Sequence, residues 1–356
     1  MTPLQLQRLE QNRLETERLK ANHPLEQIFW ECTLRCNLAC RHCGSDCTKD
    51  LAASEMPLDS FLPVLDEIAT HTSPASVLVN TVGGEPLVRR DLALCGKAIK
   101  RRGFGWGTVS NGFLLDRPML DSLLDAGLDT IAIDLDGTPE SHNGLRNNPQ
   151  SFDRAINAIR LVSGTPGLTS DVITCVNSRN FQQLSQIKRL LIDAGVTHWR
   201  CFTIIPMGRA TGDDSLQITD SQFRDLMNFI VETRLEGKID LTFACEGFLG
   251  AYEGIARDYF FRCEAGLTVA SIRANGDIAG CLSIRSDYNQ GNIYRDSFWD
   301  VWQHRFQAYR DRRWMHRSPC ADCEALPYCD GGAFHLRNDG GNMLACNYLR
   351  LKNVKL

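Results

Sequence analysis

An incomplete parallel α/β barrel, a (β/α)6 unit followed by a C-terminal cysteine-rich domain, is the fold class that this sequence predicts. Three observations carry the expectation. From Gln27 to about Pro206, six short runs of apolar and β-branched residues alternate with longer stretches of helical period, the grammar of a parallel sheet covered by helices. Each run leads at once into a glycine-rich, polar or cysteine-bearing segment, as expected where chemistry sits on loops at the C-terminal ends of barrel strands. Beyond about Asp240 long periodic helices disappear, while seven of the fifteen cysteines remain, as in a small region organised by metal.

The elements follow in order. Residues 1–26 form an N-terminal segment in which Leu6, Leu9 and Leu14 stand among Arg and Glu, predicting an amphipathic helix that packs on the barrel. Strands are predicted at Gln27 to Glu31, Ser76 to Val82, Trp106 to Ser110, Thr130 to Leu135, Thr169 to Val176 and Trp199 to Ile205. Helices are predicted at Leu58 to Thr70, Asp91 to Arg102, Met119 to Ala126, Ser151 to Val162 and Phe181 to Ala194. A further helix from Asp220 to Leu235 opens on Thr219 and Gln222, spaced as a capping box. The domain boundary is placed near Gly237, giving a barrel over 27–237 and a cysteine-rich domain over 238–356. The basic run Arg310 to Arg317 reads as a solvated helix face.

Composition removes several function classes. A net charge of -4 lacks the basic excess of a nucleic-acid-binding domain. The first residues mix Leu with Gln, Arg and Glu, so neither a signal peptide nor a membrane span is expected, and the cytoplasm is the expected compartment. In a reducing compartment, clustered cysteines point to metal or catalysis rather than disulfides.

Cys36, Cys40 and Cys43 lie within eight residues of the loop that leaves the first strand. Three thiolates so close can reach three corners of one iron-sulfur cluster and leave one iron open for a ligand. Zinc is the competing reading of the same loop, with Cys32, His42 or Cys47 completing a tetrahedron. Further on, Cys320, Cys323, Cys329 and Cys346 supply four thiolates, enough to close a cubane or to hold a structural zinc.

The cysteine loop, with Gly83-Gly84-Glu85-Pro86 after the second strand, resembles the radical S-adenosylmethionine superfamily from about Ile28 to Arg209. The resemblance implies that the three cysteines hold a 4Fe-4S cluster whose open iron chelates S-adenosylmethionine, which is cleaved reductively to a 5′-deoxyadenosyl radical. It also implies cofactor contacts from Gly83, Gly84, Glu85, Ser110, Asn111, Asp134, Asn177 and Met207. The C-terminal region resembles the SPASM extension, in which auxiliary clusters reside, at least one of them 4Fe-4S on Cys320, Cys323, Cys329 and Cys346. Cys263 and Cys281, with Gly276 between them and Gln290-Gly291-Asn292-Ile293 beyond, follow the spacing of that extension.

Two departures matter. The cysteine that the extension's final short spacing places shortly after Cys329 is replaced by Ala333, so the second auxiliary site retains Cys263 and Cys281, with Cys245 the spare thiol, and is expected to be incomplete. The aspartate that serves as a base in sulfatase-maturing relatives is replaced by Leu282, and no catalytic base is assigned. The resemblance implies hydrogen abstraction from a peptide or protein substrate, driven by an external electron donor. The alternatives are modification of a small molecule or tetrapyrrole and, outside enzymes, a zinc-stabilised binding protein.

Overall fold

The computed structural model describes residues 1–50, 54–244, 246–284 and 287–352. Helix α1 (Pro3–Asn22) precedes β1 (Gln27–Thr33), and strands and helices then alternate: α2 (Leu58–His71), β2 (Leu78–Gly83), α3 (Leu92–Arg101), β3 (Gly105–Ser110), α4 (Arg117–Asp125) and β4 (Thr130–Asp134). Next come α5 (Pro139–Arg146), α6 (Ser151–Ser163), β5 (Thr169–Val176), α7 (Leu184–Asp193), β6 (His198–Thr203) and α8 (Asp220–Glu236). The six predicted strands are all present, shifted by no more than two residues at either end. Thr219 and Gln222 form the expected capping box at the start of α8.

The sheet extends beyond these six strands. After Gly237 the chain forms β7 (Asp240–Phe243), β8 (Val269–Ile272), β9 (Asp277–Ala279) and β10 (Gly291–Asn292), and the whole sheet runs β10-β9-β8-β1-β2-β3-β4-β5-β6-β7. β7 pairs parallel with β6 and β8 parallel with β1, so both edges of the barrel are continued by later strands. No ladder joins β7 to β8 among the described residues, which leaves the barrel unclosed.

Alternation along each strand separates core from cavity. Ile28, Trp30, Val79, Trp106, Ile131, Val172 and Trp199 are buried in the main hydrophobic core. Trp30 stacks on Phe61 of α2 at 4.2 Å between ring centroids, and Trp199 meets Phe229 of α8 edge-on. The opposite face carries smaller or polar residues, including Gln27, Asn80, Thr130, Asp171 and Arg200, and it lines an interior cavity.

Gly96 of α3 shows how tight this packing is, because a Cβ there would lie 2.1 Å from the Trp106 ring. The indole is trapped under the helix with its Nε1 donating to Thr81 Oγ1 at 3.3 Å, so it cannot swing aside. Gly96→Ala is expected to destabilise the metal-free chain by roughly 1–3 kcal/mol through overpacking, measured by urea unfolding.

Two expectations are corrected. On α1, Leu9 and Leu19 are buried while Leu6 and Leu14 are exposed; Leu14 stands about 140° around the helix from Leu9, on the other face. The helix is tied to the later part of the chain instead: Gln5 donates to Ala251 O, Asn12 donates to Phe261 O, and Lys20 pairs with Asp330. The basic run is solvated only in part: Arg313 and Arg317 are exposed, but two of its arginines are not. Arg310 and Arg312 are buried and donate to the carbonyls of Gly266, Gln303, Cys263 and Tyr309. In a region short of regular ladders, irregular backbone carbonyls need such donors.

No helix among the described residues is long and apolar enough to cross a membrane.

Candidate active site at the mouth of the barrel

The loop from β1 to α2 is held by its backbone at both ends. Leu34 N donates to Ser54 O and Cys36 N to Thr48 O. Arg209, arriving after β6, pins the middle: its Nε donates to Cys40 O at 2.7 Å, its Nη1 to Cys47 O at 2.8 Å and to Asp46 Oδ1 at 2.9 Å.

Gly83 and Gly84 are explained by this loop. Gly83 has φ of +136°, and a Cβ on either glycine would fall 2.1 Å from a carbonyl oxygen, of Thr33 or Arg35 respectively. The close approach lets Gly84 N donate to Thr33 O and Glu85 N to Arg35 O. The glycine pair thus brings the end of β2 against the root of the cysteine loop.

Glu85 is buried and accepts from Ser110 Oγ at 2.8 Å, Asn111 N at 2.8 Å and Leu87 N at 3.1 Å. Burial nevertheless pushes its carboxyl up to about 7. Asn111 Nδ2 donates to Asn37 Oδ1 and lies 3.9 Å from Cys36 Sγ.

Cys36, Cys40, Cys43, Gly83, Gly84, Glu85, Ser110, Asn111 and Asp134 all line one cavity of about 590 Å³. Cys263 and Cys281 line it too. Met207 lies on an adjoining side opening of about 300 Å³. Asn177 is on neither wall; it is buried, and its Nδ2 donates to Cys175 O. Cys245 lies outside the described residues.

Sequence reasoning missed several residues here. Arg146, at the end of α5, is buried between two carboxylates: Nη1 donates to Asp134 Oδ2 at 3.0 Å and Nε to Asp136 Oδ2 at 2.7 Å, while Nη1 stands 3.8 Å from Cys40 Sγ. Burial pushes Asp134 up to about 6, whereas at Asp136 burial is outweighed by Arg146 together with His42, His142 and the hydrogen bond from Cys175 N, and the carboxyl lies below its ordinary value. Arg200 and Asn80 stand on the cavity wall. Arg200 gives its Nε to Asp171, and Asn80 Nδ2 is buried without a hydrogen-bond partner among the described residues. His335 also lines the cavity, and burial holds its imidazole neutral, down to about 4. An isolated Arg, Asn or His in sequence carries no signal for such a place.

The donor sets discriminate between a single ion and a cluster. Around one tetrahedral zinc, thiolate sulfurs sit only about 3.8 Å apart. Among the described residues the one grouping with all ligand atoms within 4.8 Å is His42, Asp136 and Cys175. Neither Cys36-Cys40-Cys43 nor Cys320-Cys323-Cys329-Cys346 forms such a group, so neither set is drawn together around a single tetrahedral ion. Asp136 is already bonded to Arg146 and to Cys175 N, which leaves the compact grouping poor in free acceptor. The second cysteine set lines an apolar pocket with Phe248, Leu326, Leu336 and Met343, and Arg337 Nη2 donates to Cys320 Sγ at 3.4 Å.

A parallel barrel with a three-cysteine loop at its mouth, backed by a cysteine-rich extension, defines an iron-sulfur enzyme that opens its cluster to a small cofactor. The comparisons agree. The pattern of the radical SAM superfamily matches residues 30–191, and that of the SPASM iron-sulfur cluster-binding domain matches residues 263–324. The chain carries a radical SAM domain followed by a SPASM domain and is an enzyme that uses a 4Fe-4S cluster, S-adenosylmethionine and auxiliary iron-sulfur chemistry. The reading as a zinc-stabilised binding protein is set aside.

The chain is 26% identical to an AdoMet-dependent heme synthase of Methanosarcina barkeri over 85% of its length and 90% of the relative's. It is 29% identical to a mycofactocin maturase of Mycolicibacterium smegmatis over 86% and 77%. Among solved structures it resembles anSMEcpe with bound AdoMet (TM-score 0.72, 16% identity, 92% and 95% covered). It also resembles Streptococcus suis SuiB bound to S-adenosylmethionine (TM-score 0.69, 18% identity, 88% and 74% covered). At such identities the structural likeness speaks for the fold alone.

Proposed function

We propose that this chain cleaves S-adenosylmethionine at a cluster held by Cys36, Cys40 and Cys43 and directs the resulting radical at a peptide or protein side chain presented in the barrel cavity. The carrying observation is the single cavity that has these three thiols, Glu85, Ser110 and Asn111 at its mouth and reaches down to Asn80 and Arg200. The bound group supplies a 5′-deoxyadenosyl radical for hydrogen abstraction. The chain's own part is to orient and exclude. Gly83 and Gly84 set the end of β2 against the cysteine loop, Glu85 offers a carboxyl to the cofactor's amino group, and the cavity wall limits access of water. Cys320, Cys323, Cys329 and Cys346 hold a closed auxiliary cluster that passes electrons, replenished by an external donor.

The peptide reading is supported by the side opening beside Met207, walled by Ile204, Ile205 and Leu282. Through it an extended chain can feed one side chain inward. The 29% identity to a peptide maturase is consistent with this. A second reading, modification of a carboxylated tetrapyrrole, is supported by Arg200 and Asn80, whose uncommitted donors suit carboxylates, and by relatives named as heme synthases.

The test is anaerobic turnover of the reconstituted chain with dithionite, reading 5′-deoxyadenosine by mass spectrometry. Deuterium passing from a labelled candidate peptide into 5′-deoxyadenosine is the expected result. Stimulation by Fe-coproporphyrin III and by no peptide would transfer the assignment to the second reading. Absence of 5′-deoxyadenosine under every condition would overturn both.

A further inference from the structure

We infer that His335 is a protein ligand, beside Cys263 and Cys281, of the auxiliary iron-sulfur site in the wall of the barrel cavity. The inference rests on the iron-sulfur reading of that wall and deepens it. Its first support is a packing hub. The Tyr309 ring stacks on Phe334, the residue before His335, at 4.4 Å between centroids. A Cβ at Gly280, the residue before Cys281, would fall 2.3 Å from that same ring, and one at Gly266, three residues past Cys263, would fall 2.4 Å from Tyr309 Cβ. Three segments far apart in sequence are therefore pressed onto one side chain, and each carries one of the three residues.

Arg312 binds two of the segments a second time. Its Nη2 donates to Cys263 O at 2.6 Å, its Nε to Tyr309 O at 2.9 Å, and its guanidinium lies 5.3 Å over the Phe334 ring. The guanidinium is almost fully buried, so the staple is rigid. Cys263, Cys281 and His335 then emerge on the same cavity.

The second support is the state of the imidazole. His335 is only 7% exposed, and neither of its nitrogens has a hydrogen-bond partner among the described residues. With no partner claimed by either nitrogen, the imidazole is free to bind at the cavity that it lines. Histidine replaces cysteine on iron in some iron-sulfur centres, and an imidazole on the same cavity as two thiols is suited to that role.

The third support concerns the simpler metal. Among the described residues Cys263, Cys281 and His335 do not form a group with all ligand atoms within 4.8 Å, so they do not outline the compact site of one tetrahedral ion. Ala333, two residues earlier and fully buried, offers only a methyl group. The protein donor that this segment brings to the wall is the imidazole.

The experiment uses the full chain with Cys36, Cys40 and Cys43 changed to Ala, which silences the mouth cluster, reconstituted with iron and sulfide and reduced. Pulsed EPR is expected to show the strong nitrogen coupling of an iron-bound imidazole, absent in both His335→Ala and His335→Cys. His335→Cys is expected to keep the iron content and lower the midpoint potential, because a thiolate adds negative charge. His335→Ala is expected to lose iron while its far-ultraviolet circular dichroism stays that of the parent. Iron held through Cys263 and Cys281 without nitrogen coupling, or coupling that survives His335→Ala, would overturn the inference alone. Iron that depends only on Cys320, Cys323, Cys329 and Cys346 would overturn the cluster reading of this wall as well.

Discussion

Changing any one of Cys36, Cys40 and Cys43 to Ala is expected to bring 5′-deoxyadenosine release down to the background of the cluster-free chain, whereas Cys320→Ala leaves slow, uncoupled cleavage. Each thiol at the mouth stands for one corner of a cluster that has only three protein ligands, so removing one opens a second iron to water and to loss. The loop itself does not depend on the thiols. Backbone bonds from Leu34 and Cys36, and the Arg209 bonds to Cys40 O and Cys47 O, hold it in their absence. The metal-free variants should therefore unfold within about 1 kcal/mol of the parent, since truncating a small thiol, half-buried at Cys36 and Cys43 and buried at Cys40, creates little cavity. Cys320 sits in a separate apolar pocket with its own three thiols, and its loss does not touch the cleavage site. Deoxyadenosine release, iron content and urea unfolding on the same preparations separate these effects. Undiminished release from all three loop variants would refute the placement of the cluster.

The strands were legible because their period-two pattern is strong: Trp30, Trp106 and Trp199 face the helices while Asn80, Thr130 and Arg200 face the cavity. β7 and β8 were not, since four residues each are too few to establish a period, and their place in the sheet depends on partners far away in sequence. The cysteine loop was legible from spacing because its ligands are neighbours. Gly83 and Gly84 were singled out for a close approach to the cofactor; the structure adds a separate requirement, the carbonyls of Thr33 and Arg35 standing where a Cβ would be. Arg146 and Arg312 were illegible. An arginine in the last turn of a helix or in a basic run looks solvated until the fold brings carboxylates or carbonyls around it.

Arg146→Ala is expected to have the largest effect on stability, about 3–5 kcal/mol at pH about 8. The guanidinium is buried, with Asp134 and Asp136 both bonded to it. Its removal leaves two carboxylates close together in a low dielectric without the guanidinium to which both are bonded. Protonation is their remaining escape. With Arg146 in place Asp134 already lies at about 6; without it both carboxyls rise, folded values standing above the unfolded one near 3.9. A group raised on folding contributes stability that is full below its unfolded value and is lost as pH climbs through the folded one. The variant should therefore be more stable at pH about 5.5 than at pH about 8, and its deficit against the parent should narrow as pH falls. Urea unfolding of the metal-free chains at the two pH values reads this directly. A deficit that does not change with pH would assign the role of Arg146 to packing instead of charge. Arg146→Met combined with Asp134→Asn and Asp136→Asn should recover most of the loss, since a neutral triad leaves no charge stranded. Arg146→Lys should recover little, because an ammonium cannot give separate planar bonds to both carboxylates while standing beside Cys40.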